Sequence, residues 1–197
     1  SEIMVIHPKE PRILMPLGRA FAANGNPLGA ARAFEEVAAI EPGRAEAWAA
    51  LGTALDQLEN HKNAQTAYDR ALAIEPQRAS TLANYGLSLA LSGDLTGAEA
   101  KLRQATDLSP NDVRIRENLA LILGLQGRFD EMQQTSAGYA PDKVVEQNVE
   151  VLKEMIQQSP GEKAVQRGIA GQTAAPDSSE ASPPAEATGL RLRRTGG

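Results

Sequence analysis

His7 and His61 are the imidazoles of this 197-residue chain, and it holds no cysteine. Without a thiol there is no thiolate nucleophile, no thiolate metal ligand and no disulfide. Neither histidine has a second histidine or a carboxylate at ligand spacing in the sequence, so no metal site is expected. Glu35 and Glu36 are adjacent. On a helix such neighbours point in different directions, whereas a catalytic acid and base must face one substrate. The glycines of "GDLTG" (93–97) and "GLQG" (124–127) follow no strand and lead into no Gly-Lys-Ser/Thr. They read as helix-ending turns, not phosphate cradles. The expectation is a chain without catalysis and without a cofactor.

What remains is side chains that could hold another chain, and the elements that would carry them. The composition is 42% hydrophobic, 4% aromatic and 23% charged, a balance that suits packed helices better than a β-sandwich. A net charge of −5 supplies no basic field for nucleic acid or anionic lipid.

The strongest signal is a 34-residue period. Leu17, Leu51, Tyr85 and Leu119 form one column; Gly18, Gly52, Gly86 and Ala120 form the next. Phe21, Leu55, Leu89 and Leu123 follow, then Ala30, Ala64, Ala98 and Met132. Phe34, Tyr68 and Leu102 align, and Pro42, Pro76 and Pro110 close the units. In "AEAWAALGTALDQL", Trp48, Leu51, Gly52 and Leu55 make one stripe of a helix. In "NAQTAYDRALAI", Ala64, Tyr68 and Ala71 make the answering stripe, with small residues where two helices cross. Gly25, Gly93 and Gly127 stand where first helices end and a left-handed residue is wanted; Glu59 breaks that column.

These columns resemble the tetratricopeptide repeat (TPR), a 34-residue helix–turn–helix unit. The resemblance implies an all-α, right-handed α-solenoid. The units fall at 11–44, 45–78, 79–112 and a degenerate 113–140, where Met132 and Ser136 replace the expected small and aromatic residues. Residues 141–158, with Val145, Val149, Leu152 and Ile156 on one face, read as a cap helix that solvates the end of the stack. Residues 1–10 read as an irregular opening segment, and 159–197, rich in Pro, Gly, Ser and Ala, as a disordered tail. Pro16 is expected to shorten the first helix so that it starts near Met15.

If the repeated stripe faces inward, the opposite side of each first helix lines a concave groove. There Asn84, Leu87 and Leu91 stand in the third unit and Arg114, Asn118, Leu121 and Leu125 in the fourth. The four leucines make an apolar strip of the kind that takes a partner. Asn84 and Asn118, one period apart, each offer an acceptor and a donor, matching one residue of extended backbone. This is similar to the asparagine ladders of long TPR superhelices. The competing expectation is that the asparagines bond their own neighbours, or that the strip packs on the cap helix. A TPR carboxylate clamp is only partly resembled, by Arg114 and Asn118; Arg19, Thr53 and Leu87 do not complete it.

"RIRENLALILGLQGRF" (114–129) and the closing "AP…QNVEVLKEM" (140–155) resemble a narrower family, the TadD component of the Flp/Tad (tight-adherence) pilus assembly system. That resemblance implies a pilotin-like accessory that binds a secretin or pilus-assembly component. It also implies a periplasmic, outer-membrane-associated location; otherwise the chain would read as cytoplasmic. Membrane attachment would need a lipid anchor upstream of Ser1. The alternative is a general scaffold whose groove is filled by its own cap helix, binding through its convex face or by dimerisation.

Overall fold

Helices begin at strict 34-residue steps. The computed structural model describes residues 10–158, and its first helices are α1 (Pro11–Ala23), α3 (Ala45–Asp56), α5 (Ala79–Leu91) and α7 (Val113–Leu125). The second helices are α2 (Pro27–Ile40), α4 (His61–Ile74), α6 (Leu95–Leu108) and the short α8 (Phe129–Ser136). A longer α9 (Asp142–Gln158) closes the series. No strand occurs among the described residues, and the fold is an all-α helical repeat. Residues 1–9, with His7, and the expected disordered tail from 159 lie outside the described residues.

Each helix ends for a local reason. Gly25, Gly93 and Gly127 have φ of +67°, +91° and +77°, and Glu59, at the place of the missing glycine, adopts φ +58°. The turn geometry therefore overrides the residue, at the expense of strain that an L side chain carries in this region. Asn26 and Asp94 cap α2 and α6 by accepting from the Gly29 and Gly97 amides, and Asp112 caps α7. Pro27 sits at the first position of α2, where no N–H is missed.

Pro16 corrects the sequence expectation. It lies inside α1, which runs unbroken from Pro11. Pro16 and Arg12, whose carbonyl loses its usual donor, are both exposed, so water can take the freed acceptor. The helix tolerates the proline because its defect faces solvent.

Helix pairs close on small residues. A Cβ placed on Gly52 would meet the Tyr68 ring at 2.6 Å, and one on Gly86 would meet Leu102 at 2.8 Å. Ala30, Ala64 and Ala98 are wholly buried at the opposite crossing. Two apolar cores result, one over the first two units around Phe34, Val37 and Leu51. The other runs from Leu82 through Leu102 and Leu119 to Leu152 of α9.

Curvature follows from the packing. α3 rests on α5 and α5 on α7, whereas α2, α4, α6 and α8 meet chiefly first helices of the stack and, in the case of α8, α9. The first helices thus line the inner, concave side. α9 packs on α7 and α8, the place that the first helix of a further unit would take.

Candidate functional site

The concave face carries a polar network across the second and third units. The Asp56 carboxylate, at the end of α3, accepts at Oδ1 from Ser88 Oγ of α5 (2.7 Å) and faces His61 Nδ1 of α4 at 2.9 Å. Its Oδ2 accepts from the Tyr68 hydroxyl of α4 at 2.9 Å. Tyr68 OH also reaches Thr53 Oγ1 (3.3 Å), and Asn84 Nδ2 of α5 donates to the same Thr53 oxygen (3.3 Å). Three helices are tied by one carboxylate. Because a carboxylate only accepts, the His61 proton lies on Nδ1.

Burial pushes the Asp56 carboxyl above its ordinary range, against the opposing pull of His61, Ser88 and Tyr68, which favour the charged form. Burial beside Asp56 also raises Tyr68, so its hydroxyl stays a donor.

Ser88, Asp56 and His61 are the three residue types of a hydrolytic triad, but their order is wrong. The serine hydroxyl donates to the carboxylate, not to the imidazole, and Ser88 is 0% exposed. A nucleophile needs a base at its own proton and an open path to substrate. This network holds helices together. It also corrects the sequence reading of His61: a carboxylate does lie beside it, brought back by the turn between α3 and α4. Among the described residues no group of three or more metal-type ligands gathers.

The residues expected to bind a partner divide into two sets. Asn84, Leu87 and Leu91 on α5 and Asn118 on α7 are half-buried, and Arg114 is exposed with its guanidinium 3.7 Å from Asp112. These keep part of their surface open, although Leu91 also packs against the core that runs to α9. Leu121 and Leu125 do not: they are 7% and 8% exposed and belong to the same apolar core as Val149 and Leu152 of α9. The expected strip of four exposed leucines is therefore corrected to two. The reason is the cap helix, which is drawn close to α7 by Gly124, where a Cβ would meet Leu152 Cδ1 at 2.6 Å. Asn84 also spends its amide on Thr53, as the competing expectation held, while its carbonyl is left to other donors.

The sequence reading did not join Thr53 and Asp56 of the second unit to Ser88 and Tyr68. A signal existed. Asp56 and Ser88 are 32 residues apart and Thr53 and Asn84 31 apart, just under one period, the offset of facing positions on successive first helices.

Models of the tetratricopeptide repeat match residues 6–84 and 86–131. A comparison with curated proteins returns no match. Among solved structures, a variant of the O-GlcNAc transferase of Thermobaculum terrenum is 26% identical over 66% of this chain with TM-score 0.60. The chain spans only 26% of that protein's length. A thermophilic TPR protein of Thermus thermophilus is 23% identical, covering 74% of this chain and 82% of its own, with TM-score 0.63. The first TPR of Spaghetti (RPAP3), solved with the HSP90 peptide SRMEEVD, is 15% identical over 62% of this chain and 97% of its own, with TM-score 0.57.

Proposed function

Since this chain belongs to the tetratricopeptide repeat family, whose members typically serve as non-enzymatic scaffolds for protein or peptide partners, we propose that it binds an extended or helical partner segment in the groove of its third and fourth units. The observation that carries this reading is the pairing of Asn84 and Asn118. They lie one period apart on α5 and α7, which pack side by side, and both keep part of their surface open, as Leu87 and Leu91 of α5 do. Two amides at that spacing hold a backbone, and two leucines beside them give its side chains an apolar seat. Arg114, exposed at the rim, would meet an acidic group on the guest.

The guest, in this reading, is a secretin or pilus-assembly component of a Flp/Tad system, and the protein acts as its pilotin-like accessory. The likeness of 114–129 and 140–155 to TadD supports this. A second reading, a scaffold whose groove is closed by its own cap helix, draws support from the burial of Leu121 and Leu125 in one core with α9. That burial shortens the groove and leaves α5 open.

The test uses the full chain and a purified Flp/Tad secretin subunit. Titration should give saturable binding that weakens at least about tenfold in the Asn84→Ala/Asn118→Ala variant, while the melting temperature and far-UV circular dichroism hold. Unchanged binding in the folded double variant removes the asparagines from the site. No binding to secretin or pilus subunits removes the assembly role.

A further inference from the structure

The boundary between α4 and α5 has no apolar core of its own. Elsewhere the cores run through: Phe34 and Val37 of α2 share the first with Ala47 and Leu51 of α3, and Leu102 and Ala105 of α6 share the second with Ile115 and Leu119 of α7. The first core ends at Ala67 of α4, and among the described residues the second takes from α4 only the half-buried Leu72. Thr81 of α5 stands one period from Ala47 and Ile115, which belong to the two cores. It is 1% exposed, and among the described residues its Oγ1 has no hydrogen-bond partner.

Polar groups join the two sides instead. Asp56 accepts from Ser88 at 2.7 Å, Thr53 from Asn84 at 3.3 Å, and Ser92 Oγ from Gln65 Nε2 at 2.9 Å. Each bond has one end on α3 or α4 and the other on α5 or the residue that ends it. The Tyr68 and Tyr85 rings stack across the same boundary at 5.8 Å. Hydrogen bonds given up on opening are replaced by bonds to water, so they resist separation less than the same area of buried hydrocarbon. Polar interfaces between parts of one chain permit relative motion.

We propose that this polar seam is a hinge, at which α1–α4 opens from α5–α9 as a separate cooperative unit. Units of a repeat chain touch only their neighbours, so the weakest boundary sets where the stack divides. The first half opens first. Among the described residues, six of the ten buried side chains of its core are alanine, against five of sixteen in the second, so it buries less hydrocarbon per position. Opening also parts Asn84 from Thr53 and releases the Asn84 amide to the groove. That consequence rests on the reading of the groove as a guest site; the hinge itself does not.

Urea unfolding of the full chain, with no guest present, tests the hinge. Trp48 is the one tryptophan, and its partners Pro42 and Arg70 both lie in the first half. Its fluorescence should change at lower urea than the hydrogen-exchange protection of α7 and α9, read by mass spectrometry of their peptides. Ser88→Ala removes a bond across the seam from the side of the second half. It should lower the Trp48 midpoint by about 0.5 M urea or more, while α7 and α9 lose protection at the same urea concentration as in the natural chain. Should this variant lose its far-UV helix signal before urea is added, Ser92→Ala, which breaks the bond to Gln65, takes its place with the same outcomes. Coincident transitions of Trp48, α7 and α9 overturn the hinge. So does loss of α7 and α9 before Trp48, or a variant in which both transitions fall together or neither moves.

Discussion

Replacing Gly52 with alanine isolates the close approach on which each helix pair depends. The new Cβ would lie 2.6 Å from Tyr68 Cε1 and 2.8 Å from Cδ1 and Cζ, far inside van der Waals contact. The ring has little room to retreat. Its hydroxyl is held by Asp56 at 2.9 Å and Thr53 at 3.3 Å, and the ring also stacks on Tyr85. Overpacking of this kind costs about 1–3 kcal/mol, while alanine in mid-helix recovers about 1 kcal/mol over glycine. The net loss is about 0–2 kcal/mol, a fall in melting temperature of up to about 8 °C for a domain of this size. The decisive assay repeats Gly52→Ala on a Tyr68→Leu background. With the ring gone only the propensity gain remains, so the second substitution should leave the melting temperature level or raise it. An equal fall on both backgrounds would show that the ring is not the obstacle and refute the packing argument.

Glu59→Gly should stabilise the chain by about 1 kcal/mol, read as a higher melting temperature, because it relieves a left-handed φ of +58° on an L residue. Leu125→Ala should cost about 2–5 kcal/mol in denaturant unfolding, since Leu125 is 8% exposed in the core shared with α9; a change within about 0.5 kcal/mol would return it to the open groove. The raised Asp56 carboxyl makes a pH prediction. A folded-state value above the unfolded one means that the fold holds the proton more tightly, so Asp56 favours stability at low pH and loses that advantage as pH rises from its ordinary value near 3.8 through the raised one. Relative to Asp56→Asn, the natural chain should therefore weaken with rising pH across that window in chemical unfolding. A relative gain would mean that the donors from His61, Ser88 and Tyr68 outweigh burial.

The repeat was legible in the sequence because its cause is local and periodic. Small residues at 18, 52 and 86 and alanines at 30, 64 and 98 recur wherever two helices must cross, and prolines recur wherever the second helix must stop. Those constraints act within one hairpin of chain, so one sequence displays them openly. The departures were equally physical. Pro16 looked like a helix breaker, yet only its exposure, set by how α1 sits on α2, decided that its lost hydrogen bond was harmless.

The groove belongs to the other kind of information. Leu87, Leu91, Leu121 and Leu125 are the same residue type at the same period, and nothing in the chain's local pattern separates them. Two stay partly open and two are buried because α9 settles against Gly124 and closes over α7, a contact between residues 28 positions apart (Gly124 to Leu152). The Asp56 network likewise joins α3, α4 and α5 across a unit boundary. Periodicity determined which helices form and which faces they bury inside a unit. The stacking of units and cap determined which polar groups meet and which surface is left for a guest, since exposure depends on every element packed above a residue and not on its neighbours in the chain.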